Sequence, residues 1–280
     1  MSLNGILVVN KEAGLTSHDV VSKVKKILGK KVGHTGTLDP NATGVLPLLI
    51  GKGTGLAKYL VNHDKTYIAT LKLGEKTDTA DGEGKIIERQ DIKEISKEKV
   101  EETLQIFLGK QEQIPPMYSA IKVNGKKLYE YARKGETLDL KPRQIKIYNI
   151  ELIQINNLEI VFEVSCSKGT YIRSLCEDIA KKLGTVGYMK ALNRTMVGEF
   201  NIKNSIKIND ISETKVISIE EFFKSKEKIT LETNKLELFL NGGRIKLKLE
   251  DEVYRVYNVN NEFIGSGVVV NGLLKRDIIL

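Results

Sequence analysis

Three amphipathic helical patterns, each closed by a glycine, interrupt a chain that otherwise reads as short β-strands. Any fold must therefore satisfy two periodicities, one near 3.6 residues and one of two. The first helical pattern follows Thr16-Ser17 as its cap, carries Val20, Val21, Val24, Ile27 and Leu28 inward, and stops at Gly29. The second runs from Ser96 to Leu108 with Val100, Leu104, Phe107 and Leu108 inward, and ends at Gly109. The third runs from about Arg173 to Leu183, before Gly184. Strand signals occupy Ile6 to Val9, Thr66 to Leu73, Gln144 to Gln154 and Leu158 to Ser165, the last two joined as a hairpin across Asn156-Asn157. Beyond about residue 232 the strands crowd together: Arg244 to Leu249, Val253 to Val259, Phe263 to Val270 and Leu273 to Ile279. That spacing suggests a small barrel or sandwich module, with a boundary at Thr230 to Asn234.

The chain has 280 residues, enough for one large domain or a large one with a small one. Its net charge of +8 favours a polyanionic partner, nucleic acid first and acidic membrane second. Residues 233–280 carry only +1 of this, which leaves +7 on residues 1–232. Within that larger part, Gln113 to Lys146 holds eight basic residues against three acidic ones. Among them are Lys122, Lys126, Lys127, Arg133 and Arg143, interleaved with Tyr118, Tyr129 and Tyr131. Basic residues mixed with aromatics suit a surface that grips phosphates and packs on sugars or bases. The two cysteines, Cys166 and Cys176, and the three scattered histidines show no zinc-site spacing. The cysteines read as buried apolar residues of a reduced, cytoplasmic protein. The N-terminal apolar run Ile6 to Val9 is too short for a signal peptide or a membrane span, so no membrane partner is expected.

Nucleotide and metal motifs fail on their chemistry. Gly51-Lys52-Gly53-Thr54-Gly55 lacks the Ser or Thr that a phosphate loop places after its lysine, and Lys58 stands where a dinucleotide loop needs its third glycine. Asp78 to Gly84 matches no calcium loop and reads as a polar hairpin turn. Ser17-His18-Asp19 supplies triad residue types, but consecutive side chains diverge, and helix capping explains Ser17. What remains is Asp39, a single carboxylate in the glycine-punctuated run Gly33 to Leu46. By local rules Asp39-Pro40 is ordinary turn grammar. Tyr67 near a strand start and Arg173 in the first turn of a helix are its candidate companions.

Taken in order, these segments resemble the TruB-type pseudouridine synthases over nearly the whole chain. The resemblance rests on Asn4 to Lys11, Gly14 to His18, Gly33 to Leu46, Lys65-Thr66-Tyr67, and Leu73-Gly74 with Thr77 to Gly82. It continues through Gln113 to Lys122, Gly169 to Arg173, Leu192 to Thr195 and Val197 to Phe200. Two positions depart from the pattern: Glu12 where proline is frequent, and Asn10 where aspartate is frequent.

The resemblance implies an α+β catalytic domain over residues 1–232, built on a large, mostly antiparallel sheet with flanking helices. It also implies a small C-terminal β-rich, PUA-like module over 233–280. Asp39 would be the essential aspartate, Arg173 its partner, and Tyr67 the ring that stacks on the target base. His34, Lys11, Tyr171 and Leu192 would line the pocket or support a flipped nucleotide, and residues 113–146 would be an RNA-gripping insertion. The implied reaction converts uridine-55 of the tRNA T-arm to pseudouridine. It cuts the bond from C1′ to N1, turns the base and rejoins it through C5. No redox change or group donor enters, so no cofactor is expected. A monomer acting on a T-arm stem-loop is expected. The alternatives are an RNA-guided H/ACA-type subunit and a non-catalytic RNA-binding or RNA-folding protein.

Overall fold

The structure is a computed structural model that describes residues 3–92 and 95–280. Among the described residues, a ten-stranded sheet organises the larger part of the molecule. Its main path runs Ile217–Ser218, Gly5–Lys11, Thr43–Ile50, Gly187–Val197, Lys65–Leu73, Glu159–Cys166, Arg143–Asn156 and Gly109–Gln113. Every pairing is antiparallel except a short parallel contact of Asn193 and Arg194 with Thr43 and Gly44. Gly44 has φ of +105°, and a β-carbon there would collide with the Arg194 carbonyl. Glycine at this position lets two protein strands approach closely, a role within the fold rather than toward RNA.

One face of the sheet packs against helices Ser17–Leu28, Lys97–Gln105 and Ile172–Lys182, whose apolar stripes join strand residues such as Leu46, Leu71 and Phe162 in the main core. The expected helices are present, with two local differences. Ile27 is 52% exposed and lies along a shallow groove with Ile208 and Ile211. Leu108 lies beyond the end of its helix at Gln105, where the chain turns out toward solvent. The capping also differs. Thr16 is the N-cap, its hydroxyl accepting from the Asp19 amide while the Asp19 carboxylate accepts from the Thr16 amide. Ser17 is therefore free for another task.

A second sheet, in the order Lys228–Thr230, Val253–Tyr257, Phe263–Val270, Leu273–Ile279 and Ile245–Lys246, encloses its own core around Phe239, Tyr254, Val256 and Leu274. The strand expected over Arg244 to Leu249 shortens to two residues, and Thr233–Leu240 is a helix that the pattern did not announce. This module packs on the larger one. Ile278 enters the core formed with Ile6, Leu49 and Leu56, and the Asp277 carboxylate, its side chain 3% exposed, takes the Lys58 ammonium and the Tyr59 hydroxyl. None of the described helices is long and apolar enough to cross a membrane.

Candidate active site

Asp39 sits between the strands Val32–His34 and Thr43–Ile50, on a loop braced from several sides. The Ser17 hydroxyl accepts from the Leu38 amide at 2.9 Å and donates to the Leu38 carbonyl at 3.2 Å. From below, the Lys11 ammonium donates to the carbonyls of Pro40 (2.7 Å), Leu15 (2.5 Å) and Glu12 (3.0 Å). Arg194 donates to the Gly36 carbonyl at 3.1 Å and the Val45 carbonyl at 2.8 Å. On the far side the Asn41 amide donates to the Glu83 carboxylate at 3.0 Å. The loop backbone is thus specified chiefly by the buried side chains of Ser17, Lys11 and Arg194, which is how a turn holds a reactive group in one geometry.

Arg173 approaches from the first turn of helix Ile172–Lys182. Its Nε lies 3.2 Å from Asp39 Oδ2 and its Nη2 lies 3.4 Å from Oδ1, a two-point ion pair. The same guanidinium stands 3.4 Å from Asp81 Oδ2 and donates to the Tyr118 carbonyl at 2.8 Å and the Thr79 carbonyl at 3.4 Å. Asp81 is itself fixed, accepting from the Thr79 hydroxyl and the Glu83 amide. Burial pushes the Asp39 carboxyl above the usual carboxylate range. The Arg173 charge opposes that rise and the nearby Asp81 adds to it.

These groups floor a cleft of about 460 Å³ that Tyr67, Tyr129, Tyr171, Leu192 and Arg194 help to line. Tyr67 is 8% exposed, and burial pushes its hydroxyl up to about 12 although Arg194 beside it works the other way. At neutral pH it is a neutral phenol offering a ring face and a proton donor. Arg194 is 1% exposed; burial lowers its pKa, Tyr67 beside it works the other way, and its guanidinium donates to loop carbonyls. Thr35 and Ser119 are among the residues at the same cleft, and their buried hydroxyls have no hydrogen-bond partner within the protein.

The residues singled out in the sequence fall into three groups. Asp39, Tyr67, Arg173, Tyr171 and Leu192 meet at the cleft. Lys11 lies fully buried beneath the Asp39 loop, its pKa lowered by burial to about 8, and His34 stands one residue before the cleft wall, half-buried with an unpartnered Nδ1. Burial, followed by the Arg194 charge, lowers the His34 pKa. Lys122, Lys126, Lys127, Arg133 and Arg143 belong to the 113–146 segment, which is more ordered than a long loop. Lys122–Val123 and Lys126–Lys127 form a hairpin across Asn124-Gly125, both with positive φ, and helix Leu128–Ala132 follows. Lys127 and Arg133 each stand over the Tyr129 ring at 5.3 Å. Lys122, Lys126, Arg133 and Arg143 are exposed, and Arg143 leaves the segment as the cross-strand neighbour of Gln113.

Sequence reasoning missed Ser17, Asp81 and Arg194 as supports of the site. Ser17 satisfies the grammar of a helix cap, and Asp81 that of a turn. Arg194 carried a signal in its place beside Leu192, but no local rule distinguishes a buried arginine from a surface one.

A carboxylate–arginine pair in a basic-rimmed cleft on this sheet defines a class. The family model of the TruB family pseudouridylate synthase N-terminal domain matches residues 25–172, and that of the tRNA pseudouridylate synthase B C-terminal domain matches residues 173–235. The chain belongs to the TruB family of pseudouridine synthases. It is similar to the tRNA pseudouridine synthase B of Caldanaerobacter subterraneus subsp. tengcongensis, with 46% identity across 96% of each chain. The enzymes of that name from Clostridium tetani and Clostridioides difficile are 45% and 42% identical, and the match covers 95% of this chain in both. Among solved structures, a Cbf5-Nop10-Gar1 complex contains a chain 25% identical with a TM-score of 0.69, covering 95% of this chain and 78% of that one. A chain of an H/ACA RNP bound to a substrate RNA shares the fold at 22% identity and a TM-score of 0.70, covering 99% of this chain and 85% of that one.

Proposed function

We propose that the protein isomerises uridine-55 in the T-arm of tRNA to pseudouridine, acting alone and without a cofactor. The observation that carries this reading is the Asp39–Arg173 pair at the floor of a cleft lined by tyrosines. It is supported by family membership and by near-full-length similarity to proteins named tRNA pseudouridine synthase B. That similarity also favours a stand-alone enzyme over a guided subunit, since the likeness to the H/ACA chains is much lower.

In this reading the target uridine leaves its stack at a cost of a few kcal/mol, offset by stacking on the Tyr67 ring and by contacts with the base edge. Asp39, held ionised by Arg173 against the effect of its burial, attacks the sugar or base or removes a ribose proton to start cleavage of the C1′–N1 bond. As the turned base rejoins through C5, the C5 proton leaves to solvent and N1 takes up a proton, and the neutral Tyr67 hydroxyl beside the base assists this transfer. Tyr171 and Leu192 shape the pocket, His34 flanks it and Lys11 holds the Asp39 loop from beneath. Lys122, Lys126, Lys127, Arg133 and Arg143 grip backbone phosphates. Residues 1–232 carry the chemistry. Residues 233–280 form a PUA-like RNA-binding module whose sheet the strand Lys228–Thr230 completes. A cytoplasmic monomer fits this role.

The decisive variant is Asp39→Asn. It should bind tRNA nearly as wild type does and release no tritium from 5-tritiated uridine. Turnover by that variant at more than a trace of the wild-type rate would remove Asp39 from the mechanism.

A further inference from the structure

The chain leaves the sheet at Gln113 and returns at Arg143, so Gln113 is the root of the phosphate-gripping segment. Its side chain is 4% exposed and does not contribute to the cleft wall. Both ends of its amide are used, and both on the same residue. The Tyr171 amide donates to Gln113 Oε1 at 2.8 Å, and Gln113 Nε2 donates to the Tyr171 carbonyl at 3.0 Å.

Tyr171 is the N-cap position of helix Ile172–Lys182, yet no side chain caps that helix. The first turn of a helix leaves its amides unsatisfied, so the direction in which it starts is set by whatever fixes the residue before it. Gln113 does this from another strand. Two further bonds tie the same turn to the same segment: Ser174 Oγ donates to the Ile114 carbonyl at 3.1 Å, and Arg173 Nη2 to the Tyr118 carbonyl at 2.8 Å.

We propose that Gln113 is a positioning residue for the reaction: by holding both backbone groups of Tyr171 it sets where Arg173 meets Asp39, and so joins the root of the RNA-gripping segment to the reacting carboxylate. This rests on the pseudouridine-forming reading above. A guanidinium that must face Asp39, Asp81 and the Tyr118 carbonyl together tolerates little rotation of its helix, and small displacements of a positioned group cost rate steeply.

The proposal has a chemical signature in Gln113→Glu. A protonated carboxyl presents one acceptor and one donor, the same pair as the amide, whereas a carboxylate accepts only and repels the Tyr171 carbonyl. The site, buried and facing a carbonyl, favours the neutral form of that glutamate. Its charged surroundings are Glu112 beside it, Arg143 across the strand, and Asp178, Lys181 and Lys182 on the helix across the adjoining cavity. Of these, Asp178 and Glu112 support the neutral form and the three cations oppose it.

The test compares wild type, Gln113→Glu and Gln113→Met by single-turnover pseudouridine formation on tRNA and by tRNA affinity from about pH 5.5 to about pH 8. Near pH 8 both variants should be slower than wild type by about tenfold or more, with tRNA affinity changed less than about twofold. Toward pH 5.5 the Gln113→Glu deficit should shrink while the Gln113→Met deficit stays. A pH-independent ratio for Gln113→Glu, or a loss confined to affinity, overturns the proposal. Hydrogen exchange on wild type gives a reading that does not depend on variants folding: the Tyr171 amide should be protected well above its exposed neighbours Lys168 and Gly169, and equal exchange contradicts it. If wild type forms no pseudouridine, the functional reading fails, while the exchange result still reports whether the clamp exists.

Discussion

The cleft has two walls built on opposite plans. The Gly36 to Asn41 loop is held by side chains among the most buried polar groups of the molecule: Lys11 at 0%, Ser17 at 1% and Arg194 at 1% exposure. Across from it, Tyr118, Ser119 and Tyr129 meet the cleft, and the segment from Lys122 to Arg133 presents mostly exposed lysines and arginines on a two-residue-per-strand hairpin and one short helix, with Leu128 buried beneath them. One wall fixes the reacting carboxylate, and the other meets a polyanion whose shape it must follow. A buried charge aimed at backbone carbonyls is costly unless its geometry is satisfied, so it selects a single loop conformation. Exposed charges exert little such control and act through long-range attraction.

If this contrast is right, substitutions in the two walls should fail in different ways. The largest effect is expected for Arg173→Met, which removes the partner of Asp39 and should lower single-turnover rate by about a thousandfold or more with tRNA affinity largely kept. The same variant sharpens the electrostatic account. Burial raises the Asp39 pKa and Arg173 opposes it, so ionised Asp39 is present only above an already elevated value. Activity should therefore rise with pH along an acid limb displaced upward from an ordinary carboxylate. Arg173→Met should displace that limb further up, and a limb that stays put breaks the assignment. The stability sign follows from the same shift. A raised carboxyl pKa favours folding below the unfolded value of 3.8 and costs stability as pH climbs through the folded value. Asp39→Asn should thus melt no lower than wild type near neutral pH.

Next in size is Ser17→Ala, which strands the Leu38 amide and carbonyl in a buried position. It should cost about 1–3 kcal/mol of stability and slow the reaction without changing the salt dependence of binding. The smallest effect on chemistry should come from Lys122→Glu, Lys126→Glu and Arg133→Glu together. These should weaken tRNA binding and flatten its salt dependence while leaving the rate at saturating tRNA near wild type. A triple variant that lost rate at saturation instead would mean that the two walls are not separate in function.

The sequence carried the elements that local rules govern. The inward positions Val20, Val21, Val24 and Leu28 of helix Ser17–Leu28 followed from a 3.6 period, with Ile27 the exception, and Tyr67 entered a strand at its expected place. It also held Asp39, although that residue gained significance only through the ordered resemblance. What it could not carry was contact across the fold. Ser17 and Leu38 are 21 residues apart, and Arg173 and Asp39 are 134 apart. In such pairs each residue satisfies an innocent local role, cap or turn or surface charge, and only the pairings of the sheet, one of them the short parallel contact, bring them together. The same limit explains the second module, where the strand Lys228–Thr230 joins by a parallel pairing with Val253–Tyr257 that no adjacent pattern signals.

The most direct test of the central claim is pseudouridine mapping of unmodified tRNA treated with the purified protein alone, with wild type and Asp39→Asn side by side. The wild type should place one pseudouridine in the T-loop at position 55, on whole tRNA and on a bare T-arm minihelix. Asp39→Asn should place none while binding both RNAs. Modification by the Asp39→Asn protein, or none by a wild type that binds tRNA tightly, would contradict the account.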